Sequence, residues 1–277
     1  MTATLAVTLP HGMRVGSEWR RDARLRALTG AEEEFLADEG AVLPPVERTT
    51  ALLARCVERL GGADASEESI ETLALGDREA LLLQLRRLTF GDTLAAVVSC
   101  PVPGCGERLD VELSVADLLV EPYANDDEWT EAEVPAGETA GAILIRAATG
   151  ADQAAAARLA PDMEAAARAL VERCTQGTEI GDVFAPALPG LLAERDPQAE
   201  VVLSLSCPAC QTPFRVLFDT AEYLQSEVAP QRAELYEEVH RLALHYHWSE
   251  REIMELPTGK RRLYLRLLAD AFEGARS

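Results

Sequence analysis

The pattern that decides the fold occurs twice in the chain, as "SCPVPGCGERLDVELSVADL" at residues 99–118 and as "SCPACQTPFRVLFDTAEYL" at residues 206–224. Each copy follows an apolar run, turns at two cysteines and continues with apolar residues at every second position, the period of a half-buried strand. Ser114 in the first copy and Asp219 in the second then provide the side-chain oxygen that caps a helix. Each copy therefore predicts a β-hairpin with a cysteine turn, followed by a helix.

The spacing of the cysteines indicates a metal site. Cys100 and Cys105 have the spacing C-x4-C, and Cys207 and Cys210 have the spacing C-x2-C. A tight turn of this kind directs two thiolates the same way and so forms half of a tetrahedral zinc site. Because about 100 residues separate the pairs, tertiary packing must bring the halves together. We expect one structural zinc ion bound by all four cysteines.

Two other interpretations of these cysteines are reduced pairs without metal and local disulfides. The sequence does not begin with the basic and apolar segments of a secretory signal, so we expect a cytoplasmic protein in which disulfides are disfavoured. A thioredoxin-like role for "CPAC" is weaker, because that motif should open a helix, whereas Pro213 and a strand-like run follow it here.

The repetition extends upstream of the cysteines. Arg26, Thr29 and Gly30 recur as Arg146, Thr149 and Gly150, and acidic residues follow both pairs, a pattern typical of a capped helix start. Each half then has a helix with one cysteine that should be buried, Cys56 in the first half and Cys174 in the second. We predict an α+β fold of two pseudo-duplicated units joined through the four-cysteine zinc site, plus a C-terminal helical segment. The predicted domains are 1–122, 123–227 and 228–277, with the acidic stretch 121–141 at the boundary between the halves.

Composition limits the possible partners. The 277 residues carry 47 acidic and 26 basic side chains and a net charge of −21. Such a charge repels phosphate backbones, so we expect no nucleic-acid partner. "GKRRLYLR" at residues 259–266 is the best local basic patch, but a solvated helix face is the favoured explanation of it. The sequence has no long apolar run for a membrane span and no recognisable catalytic motif, so we expect neither an enzyme nor a small-molecule substrate.

The segment 228–277 shows helical periodicity, and Ser249 with Glu252 forms a capping-box pattern. Its aromatic and arginine side chains are of the types enriched at energetic anchors of interfaces. We predict that the segment binds a partner, although its own core could also use these apolar positions. The predicted contact residues are Tyr246, Trp248, Arg251, Arg261, Arg262, Tyr264 and Arg266. The nearby His240, His245 and His247 are interpreted as ordinary histidines rather than metal ligands.

A resemblance to a known family rests on two stretches, "LRALTGAEEEFL" at residues 25–36 and "LGDREALLLQLRRLTFGDTLAAVVSCPVPGCGERLDVELSV" at residues 75–115. They resemble the T4-type base plate proteins of contractile-tailed phages and of phage-tail-like contractile injection systems, over roughly residues 20–225. The C-terminal "ALHYHWSEREIMELPTGKRRLYLRLL" resembles short helical tail-assembly proteins of the same gene clusters.

The resemblance implies a non-catalytic structural component of the baseplate, with other baseplate, spike or tail-assembly proteins as partners. An assembly chaperone for baseplate or tape-measure protein, absent from the mature particle, is the first alternative. An unrelated zinc-ribbon adaptor is the second. In the first case the cytoplasmic protein would be incorporated into a phage-tail-like particle.

Overall fold

The computed structural model describes residues 4–124, 127–136, 139–176, 187–228 and 232–274. The first half contains β1 (Thr4–Val15), β2 (Glu18–Arg26), α1 (Gly30–Ala37), α2 (Pro45–Cys56), β3 (Val57–Leu60), β4 (Ala63–Asp64), α3 (Glu67–Glu71), α4 (Leu75–Phe90), β5 (Thr93–Ser99), β6 (Arg108–Ser114) and α5 (Val115–Leu118). The second half contains β7 (Thr130–Ala136), β8 (Thr139–Ile145), α6 (Gly150–Ala157), α7 (Met163–Cys174), β9 (Thr175–Gln176), α8 (Leu188–Arg195), β10 (Val202–Ser206), β11 (Pro213–Leu217) and α9 (Thr220–Val228). The C-terminal segment contains α10 (Arg232–Tyr246), α11 (Glu250–Met254) and α12 (Thr258–Gly274).

The predicted mixture of helices and strands is confirmed. The strands form a four-stranded sheet in the order β1-β2-β3-β4, a three-stranded sheet in the order β7-β8-β9, and the separate hairpins β5–β6 and β10–β11. The segment 121–141, which the sequence suggested as a boundary, contains β7 and the start of β8, while residues 125, 126, 137 and 138 lie outside the described ones. None of the described helices is long and apolar enough to cross a membrane.

The two predicted helix starts are confirmed, and we call them the T-G boxes. In the first box, Glu32 accepts hydrogen bonds from the backbone N–H and the hydroxyl of Thr29, at 3.0 and 2.8 Å. In the second box, Asp152 accepts the same two bonds from Thr149, at 2.9 and 2.8 Å. Cys56 and Cys174, in the helices that follow, are both fully buried, as predicted.

An arginine at the end of the preceding strand fixes each T-G box. Arg26 donates to both carboxylate oxygens of Glu32 at 2.8 Å and to the carbonyl of Arg55 at 2.6 Å. In the second half, Arg146 binds the carboxylate of Asp152 at 2.6 and 3.1 Å and the carbonyl of Arg173 at 2.8 Å. These bonds tie each sheet to the helix that carries the buried cysteine.

The C-terminal helices pack on the first T-G box. The backbone N–H of Thr258 donates to the carbonyl of Leu28 at 2.8 Å, and Pro257 forms a β-bridge with Thr29. Arg261 is fully buried and forms ion pairs with Glu33 and Glu238. The helices also share a hydrophobic cluster of their own, made by Leu235, Val239, Leu242, Ile253 and Met254. The segment is therefore joined to the body mainly through polar and backbone contacts.

The second T-G box receives a segment from the first half in the same manner. The N–H of Leu75 donates to the carbonyl of Ala148 at 2.8 Å, and Ala74 forms a β-bridge with Thr149. In both segments a short capped helix precedes this contact, and a long helix with the pattern G-x-R follows it. The segments 66–90 and 249–274 therefore make equivalent contacts with different T-G boxes.

Candidate metal centre

The two cysteine hairpins pack on a common cluster of apolar side chains. Leu94 and Val115 from the first half and Val201 and Leu203 from the second are buried there, against Leu83 of α4. Leu113, Val216 and Phe218 of the predicted alternating strands pack against the same cluster. Burial of this shared face aligns the two hairpins, so that their turns lie side by side.

Backbone hydrogen bonds and left-handed residues shape the two turns. In the first turn the N–H of Cys100 donates to Glu107 O at 2.7 Å, and that of Cys105 to Val102 O at 3.0 Å. In the second, the N–H of Cys207 donates to Thr212 O at 3.1 Å. Gly104 and Gly106 have φ angles of 81° and 62°, which cost glycine little because it has no Cβ. Gln211, with φ of 58°, takes the same conformation in the second turn.

The four cysteines that the sequence singled out lie together. Their Sγ atoms are all within 4.8 Å of one another. The closest approaches join the two hairpins, with 3.8 Å between the Sγ atoms of Cys100 and Cys210 and 3.7 Å between those of Cys105 and Cys207. A tetrahedral ion with metal–sulfur bonds of about 2.3 Å separates its ligands by about 3.8 Å, so this cluster has the size that such an ion requires.

The alternative of disulfide bonds does not apply to this structure, because all six cysteines are free. Cys100 and Cys207 are buried, whereas Cys105 is partly exposed and Cys210 is exposed. Hydrogen bonds with the side chain and backbone of Thr212 lower the pKa of Cys210 to about 6. The cluster therefore has one open side, at Cys210. Within the described residues no other group of three or more metal-ligating side chains comes together, the three C-terminal histidines included.

The predicted partner-binding residues differ in exposure and in their contacts. Tyr246 and Trp248 stack with their ring centroids 4.8 Å apart, and Tyr264 meets both rings edge to face, at 5.5 and 4.9 Å. Arg262 lies over the ring of Phe90 and donates to the carbonyl of Glu227. Arg251 and Arg266 are exposed, and Arg251 forms an ion pair with Glu255.

The side chain of Arg261 differs from the exposed arginines of the segment, because it is fully buried against Glu33 and Glu238. Neither the burial of Arg261 nor that of Arg78, the corresponding arginine at the second T-G box, was predicted from the sequence. The available signal was the repeated spacing G-x-R after a short helix, as in "LGDR" (residues 75–78) and "TGKR" (residues 258–261).

Comparison with known proteins supplies the family. The family described as T4 bacteriophage base plate protein matches residues 4–145. The match begins and ends earlier than the expected range of 20–225, and it includes the first T-G box and the first cysteine pair. No curated protein and no solved structure matches the chain. Since the match covers more than half of the sequence, the chain belongs to the T4 bacteriophage base plate protein family.

Proposed function

We propose that the protein is a non-catalytic structural component of the baseplate of a contractile tail or phage-tail-like injection system. The observation that carries the proposal is the family match over residues 4–145. The long-range contacts support it, because the second half packs on the first through the cysteine hairpins and the T-G box. This organisation suits a part that must transmit force as one body.

We propose that the cysteine cluster binds one structural zinc ion. Four thiolates are the ligand set of structural zinc sites, and a closed set leaves no position for a reacting water. The ion would join a hairpin of the first half to one of the second, at the place where Cys100 approaches Cys210. Its role would be to hold the two hairpins together, not to activate a substrate.

Elemental analysis of protein purified without added metal tests this proposal. We expect one zinc per chain in the wild type and none in Cys207→Ser/Cys210→Ser. Cys174→Ala serves as the control, since Cys174 is buried away from the cluster. A wild-type protein without zinc, whose melting temperature is unchanged by a strong chelator, would contradict the proposal.

We further propose that residues 1–122 and 123–227 are duplicated units. The matched T-G boxes, their arginines, the buried cysteines and the cysteine hairpins support the duplication. The third unit, residues 228–277, has its own hydrophobic cluster but docks on the first T-G box, so we expect all three to unfold together. Calorimetry decides this point: a separate transition that disappears on deletion of residues 229–277 would show instead that the segment is an independent arm.

The exposed part of the C-terminal segment is the proposed partner surface. Of the predicted contact residues, Arg251 and Arg266 are exposed. Leu263 and Leu267 are 45% and 49% exposed on α12, the helix that carries Arg266. We expect Leu263→Asp/Leu267→Asp to fold normally and to enter particles poorly. Leu244→Asp is a matched control, because Leu244 is 58% exposed on α10.

Proteomics of purified particles separates the structural role from the first alternative. A baseplate component is retained in the particle at a fixed ratio to the other baseplate proteins. An assembly chaperone is present in the cell lysate and absent from the particle. The zinc-ribbon adaptor is favoured only if neighbouring genes lack sheath, tube and spike proteins.

A further inference from the structure

We propose that the exposed face of α12 binds the outer face of the β7–β8 sheet of a second copy of this chain. The inference takes the α12 face from the proposed function and names its occupant. Particles are not needed to test it, because self-association is measured on the purified chain. A result that contradicts self-association can therefore be distinguished from a result that contradicts the baseplate role.

The α12 face combines apolar and basic side chains. Leu263 and Leu267 are one helical turn apart, and Lys260 and Arg266 lie on the same side of the helix. All four are exposed, and neither Lys260 nor Arg266 is in an ion pair within the described part of the chain. One acid, Asp270, lies at the C-terminal end of this face. The face is therefore basic and apolar in a protein whose net charge is −21.

The outer face of the β7–β8 sheet has the opposite character. Leu144 is 40% exposed, and Glu131 lies directly opposite it in the register of the two strands. Glu133, two residues further along β7, is on the same face and is also exposed. Ile143 and Ile145 point to the other face and are buried. The exposed face thus presents an aliphatic side chain beside two carboxylates that lack an ion-pair partner among the described residues.

The two faces have opposite charges, and each also presents exposed aliphatic surface. A helix on a sheet is a standard way to bury an apolar face of each, and two bases would meet two carboxylates. The molecule already contains such a contact. The helix α4, which docks on the second T-G box as α12 docks on the first, lies against β1 and β2. In α12 the exposed side is bare within the part of the chain that the structure describes.

The inferred contact joins two different surfaces, so it is heterologous. Each copy presents one helix face and one sheet face, and successive copies add head to tail until the rotation closes a ring or continues as a filament. The charges make the contact sensitive to salt, because screened rim charges contribute less. We choose a second copy as the partner because the chain itself carries the complementary sheet face, so no other protein is needed to form the contact.

Sedimentation velocity of the purified protein at low and at high salt provides the test. We expect wild-type protein to associate at low salt and to dissociate as salt is added. Lys260→Glu/Arg266→Glu and Glu131→Lys/Glu133→Lys should each weaken association at least tenfold. Arg158→Glu/Arg168→Glu is the matched control for the α12 variant, because it changes the net charge by the same amount and sign at exposed positions of the α6–α7 region, and it should associate like the wild type.

Mixing the two charge-reversed proteins makes the test specific. Each reversed protein has two faces of like charge, whereas the mixture offers a complementary partner for both faces. We expect the mixture to associate although neither variant does so alone.

Three results would overturn the inference: a wild type that remains monomeric at low salt, a reversed variant that associates like the wild type, or a mixture that remains monomeric. If the wild type is monomeric and the α12 variant fails to enter particles, the occupant is another baseplate protein. That result would support the baseplate role and would rule out the contact between two copies of this chain.

Discussion

The two T-G boxes hold segments from very different distances along the chain. The second box receives Ala74 and Leu75, which lie within the preceding half, whereas the first box receives Pro257 and Thr258 from the C-terminal region. Closing the longer loop costs about 1 kcal/mol more in chain entropy. The same local contact at the first box must therefore be stabilised against a larger entropy cost.

Charge distinguishes the two contacts. At the first box, Arg261 is fully buried and lies between the carboxylates of Glu33 and Glu238. At the second box, Arg78 is also buried, but it donates to the carbonyl of Ile70 and the hydroxyl of Thr50. Burial without a carboxylate partner lowers the pKa of Arg78 to about 10. The distant segment is thus fixed to its box by a buried ion pair. The near segment is held to its box by backbone hydrogen bonds, such as that from the N–H of Gly150 to the carbonyl of Leu73 at 3.1 Å, while Arg78 binds neutral groups of the first half.

The largest expected effect comes from removing the long-range arginine. Arg261→Met leaves the buried Glu33 without its cation, and breaking a buried pair costs about 3–5 kcal/mol. Arg78→Met leaves only neutral acceptors unsatisfied, at a cost of about 1–3 kcal/mol. Denaturant unfolding of both variants measures the difference.

A second substitution shows whether the lost charge is the cause. Because the uncompensated carboxylate carries most of the penalty, Glu33→Gln should recover part of the stability of Arg261→Met. Equal costs for the two arginine variants, or no recovery in the double variant, would mean that packing alone holds both segments.

Sequence reasoning succeeded where the signal is local. The capping residues Thr29 and Thr149 are read from neighbours within three positions, and the cysteine turns from spacings of five residues or fewer. We inferred that the two cysteine pairs lie together because two thiolates provide only half of the ligands of a tetrahedral zinc site. The role of Arg261 could not be read in this way, because its partner Glu33 is 228 positions away and an arginine on a helix is normally solvated.

The capping carboxylates give the next largest effect and a pH dependence. Burial alone would raise the pKa of Asp152, but hydrogen bonds from Arg146 and Thr149 outweigh it and hold the pKa well below its usual range. The pKa of Glu32 is lowered for the same reason, by Arg26 and Thr29 against burial. A depressed pKa stabilises the fold above the unfolded-state pKa of about 4, and that stabilisation is lost as the pH falls through the folded-state value.

We therefore expect Asp152→Asn and Glu32→Gln to cost about 2 kcal/mol each at neutral pH. Asp152→Asn should cost more, because Arg173 also binds Asp152, at 2.7 Å. Thermal melts between pH 7 and pH 2 test this, since the gap between wild type and variant should narrow below about pH 4. If the stability difference between wild type and variant stays constant down to pH 2, the carboxylates stabilise the fold through packing and not through their charge.

A smaller effect is expected from adding a Cβ to the glycine of each T-G box, where the docked segment lies close to the backbone. A Cβ on Gly30 would lie 2.8 Å from the Sδ of Met254 and 3.1 Å from its Cα, and backbone yields little. The three atoms nearest to a Cβ on Gly150 would all belong to the guanidinium of Arg78, the first at 2.6 Å. We expect Gly30→Ala to cost about 1–2 kcal/mol and Gly150→Ala less, provided that Arg78 can shift and keep its bonds. If denaturant unfolding instead showed a larger loss of stability for Gly150→Ala, the contact at the second T-G box would be the more rigid of the two.

The smallest effect should come from copying the acid of the first box into the second. Gln153 occupies the position that corresponds to Glu33, three residues after Gly150 as Glu33 is three residues after Gly30. Glu33 is buried beside Arg261, but Gln153 is exposed to solvent. A carboxylate at an exposed position remains hydrated and gains little from a cation, so Gln153→Glu should change the free energy of unfolding by less than about 0.5 kcal/mol. Stabilisation beyond about 1 kcal/mol in denaturant unfolding would mean that the new carboxylate reaches Arg78, and that the two boxes differ in sequence more than in geometry.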